Sequence, residues 1–253
     1  MSNSNFRILD AVLSSYRLLR KEWRYLFGLA LLPGSLYFLS TVFVQFARAE
    51  ASMLEQFMWT LPSIALYGWF MFQQTRLIIF GERIDSLPAA PVFHTERLRQ
   101  MRASVMVWML FNMAFMGTLI FLFSTLKIGP AERHPVAGVM AMMGLGLCFW
   151  GIRFSIVHIL AAVDYPIKSF VFRVNGVGIS LRLIAMGLVA MLPLALALQI
   201  ILSLLTSPEL GLESVSFVTM AVLSCFFSML STIILNSASV YALKQMLGGG
   251  VKP

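Results

Sequence analysis

Three polar residues that lie close together in the chain are the best candidates for chemistry. Arg153, His158 and Asp164 stand in a stretch whose other residues are mostly apolar. On a straight helix, Arg153 and Asp164 would share a face but lie roughly 16 Å apart, so each needs a partner from another segment. Together with Arg182 they predict a polar site for a lipid headgroup or an anionic solute. The simpler alternative is an interfacial arginine that reaches toward lipid phosphates.

A second candidate is a stripe of polar residues near the C-terminus. Its members recur every four residues, which places them on one face of a helix. They are Ser224, Ser228, Thr232 and Asn236. Asn112 and Gln199, in two other apolar runs, are possible hydrogen-bond partners of this stripe. The stripe predicts either a hydrophilic path for a solute or, more simply, close helix packing through small hydroxyl residues.

The residue patterns of known membrane enzymes are missing from the sequence. The three histidines lie in different segments, and none has a second metal ligand at helical spacing. Cys148 and Cys225 form no CxxC pair, so a zinc ribbon and a dithiol redox centre are both excluded. We therefore predict that the protein is not an enzyme and has no catalytic residue, no cofactor and no metal site.

The elements that carry these residues follow from the hydropathy of the chain. Of the 253 residues, 59% are hydrophobic and only 12% are charged, about half the charged fraction of soluble domains. Six runs without Asp, Glu, Lys or Arg are 18 to 30 residues long, and about 20 apolar residues cross a bilayer as a helix. These runs are 25–47, 56–75, 103–126, 135–152, 183–208 and 214–243. They predict an all-α, polytopic membrane bundle of about six transmembrane helices.

The distribution of basic residues predicts the orientation of the bundle. If the N-terminus is cytoplasmic, 16 of the 19 Lys and Arg residues lie in segments on that side. This bias is the positive-inside rule, and it predicts cytoplasmic N- and C-termini in a bacterial inner membrane. The basic segments then face anionic lipid headgroups. Nucleic acid is not an expected partner, because no aromatic platform accompanies the basic residues.

The cytoplasmic segments are long, and they alternate with short external ones. Residues 1–253 form a single membrane domain with three possible units, each an inner segment plus a helical hairpin: 1–75, 76–152 and 153–243. Each inner segment is expected to hold an amphipathic interfacial helix on the cytoplasmic side.

Details of the inner segments follow from local sequence. The helix that begins at Phe6 lies flat on the interface or packs on the other inner segments. Thr95 is expected to cap a short helix in the second segment, after a break at Leu87–Pro91. Asp164 is expected to cap another in the third segment.

The run from Arg153 to Asp164, together with this topology, resembles the membrane domain of bacterial glycerophosphodiester phosphodiesterases and related stand-alone six-helix inner-membrane proteins. The resemblance places Arg153, Asp164 and Ser169 at the family's span-four arginine, acidic residue and short-helix serine. Val163 stands where the family usually has proline. The resemblance implies an all-helical membrane fold and assigns no activity, because the chain does not encode the hydrolase domain.

The function predicted from these features is that of an integral membrane accessory without catalytic activity. It binds membrane lipids, or a membrane or cytoplasmic protein partner, through its cytoplasmic segments. The alternative is a small transporter that uses the polar stripe of the last apolar run.

Overall fold

A computed structural model describes residues 6–47, 53–84, 91–126, 152–168, 170, 177–205 and 217–247, with isolated residues between 138 and 149. All regular structure in these residues is helical, which confirms the all-α prediction. The helices are α1 (Ile8–Ala47), α2 (Met53–Phe80), α3 (Pro91–Leu126), α4 (Val157–Ala162), α5 (Val177–Leu205) and α6 (Phe217–Met246). A short 3₁₀ turn, Ile152–Ile156, leads into α4.

Three helices of the described chain are long and apolar enough to cross a membrane. They comprise Ile8–Val44, Gly178–Ser203 and Thr219–Met246. The predicted second and third spans fall within α2 and α3, whereas most of the fourth, 135–152, lies outside the described residues. The described chain is therefore helical and has three helices that by length and composition could cross a membrane, and the total of six spans stays a prediction.

The first inner segment and the first apolar run form one helix. Within the 40 residues of α1, Glu22 alone departs from helical geometry, with φ −113° and ψ 19°, and marks a kink. Before the kink, Ala11 and Val12 are buried, whereas Leu9 is exposed. The Tyr16 hydroxyl donates a hydrogen bond to the Ala190 carbonyl of α5 over 2.7 Å. The N-terminal part of α1 is thus packed on one side against the bundle.

The second inner segment differs from the sequence-based expectation. Helix α3 begins at Pro91 and runs without a break to Leu126, so Thr95 lies inside a helix and the prediction that it is a cap is wrong. Proline suits the first helical turn because its missing N–H would have no partner there. Most of the predicted break at Leu87–Pro91 lies outside the described residues.

Helix α4 is enclosed by other parts of the described chain. All six of its residues are buried, which differs from the one-sided burial expected of an interfacial helix. The Ser104 hydroxyl of α3 donates to the His158 carbonyl over 2.9 Å. Asp164 follows α4 in the left-handed region, at φ 54°, a conformation that Asp tolerates better than most residues.

Helices α1 and α6 approach each other closely. A Cβ on Gly34 would lie 2.3 Å from the Met229 sulfur, so only glycine fits without movement of that side chain. The Cys225 thiol donates to the Gly34 carbonyl over 3.1 Å. Close packing of this kind holds α6 beside α1 and orients its polar face toward the other helices.

Candidate functional site

A cavity of about 610 Å³ lies between the helices, within the size range of ligand-binding sites. Every described α-helix contributes to its wall. Most of the lining side chains are apolar or aromatic, among them Tyr37, Ile64, Tyr67, Met71, Trp108, Phe111, Leu183, Met186, Leu188 and Met191. Polar side chains that line it are Ser63, Asn112, Ser155, His158, Ser228, Thr232, Asn236 and Ser239. None of the described lining residues is Asp, Glu, Lys or Arg.

Half of the candidate residues from the sequence meet at this cavity. Asn112 from α3, His158 from α4 and three residues of the α6 stripe line it together. The stripe residues are Ser228, Thr232 and Asn236. Ser224, at the other end of the stripe, is exposed, and so is Gln199 on α5. The inner part of the stripe therefore faces a cavity rather than a tightly packed helix.

Several polar groups in the wall form hydrogen bonds within their own helices. The Thr232 hydroxyl donates to the Ser228 carbonyl over 2.9 Å. The Asn112 amide donates to the Trp108 carbonyl over 2.8 Å, which leaves Oδ1 of Asn112 available as an acceptor. Helix α6 is thus not bonded to Asn112 through these groups, and the cavity separates them.

A buried chain of amides connects the cavity wall to α2. Gln74 Nε2 donates to the Ile233 carbonyl over 2.7 Å and to the Ser237 hydroxyl over 2.6 Å. Gln74 Oε1 accepts from Asn236 Nδ2 over 2.8 Å. Asn236 Oδ1 in turn lies 3.1 Å from His158 Nε2. The side chains of α2, α4 and α6 are therefore held by one network of hydrogen bonds.

This network determines the tautomer of His158. A backbone carbonyl only accepts, so the contact with Ile233 fixes which end of the Gln74 amide is nitrogen. That orientation makes Asn236 donate to Gln74 and accept from His158, so the proton of the imidazole is on Nε2. His158 is only 3% exposed, and desolvation favours its neutral form.

Three residues of the cavity wall each have a buried polar side-chain atom that makes no hydrogen bond of good geometry within the described residues. These atoms are the unprotonated Nδ1 of His158, Tyr67 Oη and Trp108 Nε1. Ser228 lies near Tyr67, and the Ser155 backbone lies near His158, but neither contact meets the geometry of a hydrogen bond. Unpaired buried groups are rare in proteins, and they cluster here around one cavity.

The remaining candidates are held elsewhere. Arg153 Nε donates to the Ser180 hydroxyl over 2.5 Å, and Arg153 is buried. The Asp164 carboxylate forms an exposed ion pair with Arg99 at 3.1 Å. Arg182 donates to a backbone carbonyl of the N-terminal segment, that of Phe6, over 3.1 Å. Arg153 has its partner on α5 and Asp164 has its partner on α3, but Arg153, Asp164 and Arg182 do not form one site with His158. Ser169 lies outside the described residues.

A buried ionic cluster was not predicted from the sequence. Arg76 at the end of α2 forms two hydrogen bonds with the Glu82 carboxylate, at 2.9 and 2.6 Å. Arg97 of α3 donates to the same carboxylate and to Gln73. Arg76 also donates to Gln100 over 2.8 Å. These five residues, the Arg76–Glu82–Arg97 cluster with its two glutamines, join α2 to α3 beside the end of α4.

The cluster holds two positive charges against one negative charge. Arg76 and Arg97 are each 7% exposed. Burial lowers the pKa of Arg97, and the negative charge of Glu82 opposes that shift. One signal for this cluster was present in the sequence, since Gln73-Gln74 and Arg76 end an apolar run shortly before Glu82. Their convergence with Arg97 required the tertiary structure.

Comparison of the chain with protein families, with curated proteins and with solved structures found no match.

Proposed function

We propose that the chain is an accessory protein of a bacterial inner membrane that binds a lipid molecule in its central cavity without transforming it. The observation that carries the proposal is a cavity of about 610 Å³ whose wall is mostly apolar but contains a cluster of neutral polar groups. An amphiphile matches such a wall, because its acyl part contacts the apolar side chains and its head group forms the hydrogen bonds.

The proposal includes the membrane topology expected from hydropathy and charge. Six spans, cytoplasmic termini and three cytoplasmic inner segments place the basic residues at anionic headgroups. We also propose that this arrangement is that of the membrane domain of bacterial glycerophosphodiester phosphodiesterases, which the run from Arg153 to Asp164 resembles. A membrane or cytoplasmic protein partner would then dock on the cytoplasmic segments.

The test is to fill the cavity and measure retained lipid. Gly187 lines the cavity, and the nearest atom to a Cβ placed there is Leu235 Cδ2 at 3.9 Å, so a Gly187→Phe side chain enters the open space. Steric exclusion of about 1–3 kcal/mol should reduce lipid retained after purification by about fivefold to a hundredfold, as measured by native mass spectrometry.

The matched control is Gly28→Phe. Gly28 also lies inside a helix, and a Cβ placed on it would have no neighbouring atom within 4 Å, but it does not line the cavity. Both variants must give monodisperse, helical protein. Equal lipid retention by the two variants and the unaltered chain would contradict binding in the cavity.

A small transporter is the second candidate, because the polar residues of α6 line the same cavity. A transport path requires water access from one side to Ser228 and Thr232. Single cysteines at these positions, in a chain without Cys148 and Cys225, should then react with a membrane-impermeant thiol reagent. A lipid-filled cavity should leave both cysteines unreactive.

A further inference from the structure

We infer that the lipid bound in the cavity is an uncharged glycerolipid with a free hydroxyl and ester carbonyls, of the diacylglycerol class, rather than an anionic phospholipid. This inference rests on the proposed function and specifies the chemistry of the ligand. It comes from the charge and hydrogen-bonding capacity of the wall.

The described wall offers no counter-ion to a phosphate. The buried arginines are engaged elsewhere, since Arg153 bonds to Ser180, and Arg76 and Arg97 share Glu82. None of these three arginines lines the cavity. Moving an ionised group into an apolar site without a paired charge is costly, so an anionic headgroup is disfavoured at this position.

The hydrogen-bonding groups match a molecule that both donates and accepts. Asn112 Oδ1 is an acceptor in the wall, and a ligand hydroxyl donates to it. The Ser239 hydroxyl in the wall is a donor, and an ester carbonyl of the ligand accepts from it. A free fatty acid would place a carboxylate here, and a pure hydrocarbon would leave Asn112 Oδ1 and the Ser239 hydroxyl unpaired.

The surroundings of the cavity are suited to acyl chains. Leu188 lines the cavity and is 68% exposed, so the wall continues into the outer surface of α5. The neighbouring exposed residues of α5 are Leu181, Val189, Leu192 and Leu196. In a bilayer this surface contacts hydrocarbon, which gives a membrane lipid direct contact with the edge of the cavity.

The test compares two lipids with the same acyl chains. The unaltered full chain is equilibrated in mixed micelles with dioleoylglycerol or dioleoylphosphatidylglycerol, and bound lipid is measured by native mass spectrometry. We expect dioleoylglycerol to bind at least about tenfold more tightly, the ratio that corresponds to ~1.4 kcal/mol.

Variants locate the selectivity at the cavity. Asn112→Leu and Ser239→Ala should each weaken dioleoylglycerol binding by about fivefold, the loss of one hydrogen bond. Ser231→Ala is the matched control, because the Ser231 hydroxyl bonds to the Ser228 carbonyl in its own helix and does not line the cavity. It should bind as the unaltered chain does.

The outcomes separate the two proposals. Equal or preferential binding of dioleoylphosphatidylglycerol, still abolished by Gly187→Phe, overturns the uncharged-lipid inference and leaves lipid binding in place. Insensitivity of both lipids to Gly187→Phe overturns both proposals. If Asn112→Leu and Ser239→Ala both keep the preference for dioleoylglycerol, the inference is also overturned, because these wall groups would then not form hydrogen bonds with the headgroup.

Discussion

At the scale of single residues, Glu82 is the residue on which the α2–α3 contact depends. Its carboxylate is the only anion between Arg76 and Arg97 in the described part of the chain. Each arginine also contacts an aromatic ring, with the Arg76 guanidinium 4.3 Å from the Phe80 ring centre. Aromatic faces attract cations but do not neutralise two of them, so the carboxylate stabilises the pair.

Glu82→Gln should destabilise the protein by about 3 kcal/mol, because breaking a buried ion pair leaves unpaired buried charge. The measurement is the unfolding midpoint in a detergent–denaturant titration followed by circular dichroism. Glu96→Gln is the control, since Glu96 pairs with Arg99 only at the exposed surface. Comparable losses in the two variants would argue against the cluster as a structural centre.

Two candidate residues that are close in sequence, Arg153 and His158, lie in different environments. His158 and Arg153 are five positions apart, yet His158 lines the cavity while Arg153 bonds to Ser180. Five positions correspond to about 140° around a helix, so the spacing already predicts different surroundings for the two side chains. The 3₁₀ turn over Ile152–Ile156 changes this angle, but the two side chains still lie in different environments.

At the scale of the helices, Gly81 decides where α2 ends. It has φ of +71°, and its N–H donates to the Leu77 carbonyl over 3.0 Å, as in a left-handed helix cap. The turn places Glu82 immediately after the helix, facing Arg76. The geometry of the ionic cluster therefore depends on one glycine.

Gly81→Ala should cost about 1 kcal/mol of stability, the penalty for a side chain in the left-handed region. The unfolding titration used for Glu82 measures it. Gly28→Ala serves as the comparison, because Gly28 lies inside α1 with open space around it and alanine there should be neutral or mildly stabilising. A loss at position 28 as large as that at position 81 would exclude the proposed role of backbone conformation.

At the kink at Glu22, the single helix α1 joins two helices that the sequence predicted separately, the first inner segment and the first apolar run. The Glu22 carboxylate pairs with Arg83 at 2.5 Å, and the Tyr25 hydroxyl accepts from the Ile84 backbone over 3.1 Å. Residues just after α2 thus brace α1 at the point where its geometry departs from a helix. Hydrophobic periodicity alone indicates two helices in this region and contains no information about their relative angle.

For the molecule as a whole, the proposed membrane topology predicts on which side of the membrane two exposed residues lie. Arg7 and His94 are exposed, and both are proposed to lie on the cytoplasmic side. Arg7→Cys and His94→Cys, each in a chain without the native cysteines, should react with an impermeant thiol reagent in inverted membrane vesicles and not in intact cells. Labelling of the two positions from opposite faces would contradict the six-span arrangement.

Hydropathy was sufficient to predict that the described chain is all-helical. In hydrocarbon, a backbone must form its hydrogen bonds within its own helix, so a long apolar run specifies a helix without reference to the rest of the chain. The same local logic identified the polar stripe of α6 and singled out His158. It did not identify the partners of Gln73, Gln74 or Glu82, because polar residues that end an apolar run are expected at any helix end and do not indicate what they contact.

Local sequence is enough to establish that this chain is helical and largely apolar, and which helix carries hydroxyl and amide groups on one side. Packing of the helices then makes this side border a cavity and brings Asn236 to both His158 and Gln74, and Arg97 to Glu82. The difference arises from the range of the interactions. A helix satisfies its backbone locally, whereas a buried side chain needs a partner from another helix, and packing of the whole bundle selects that partner.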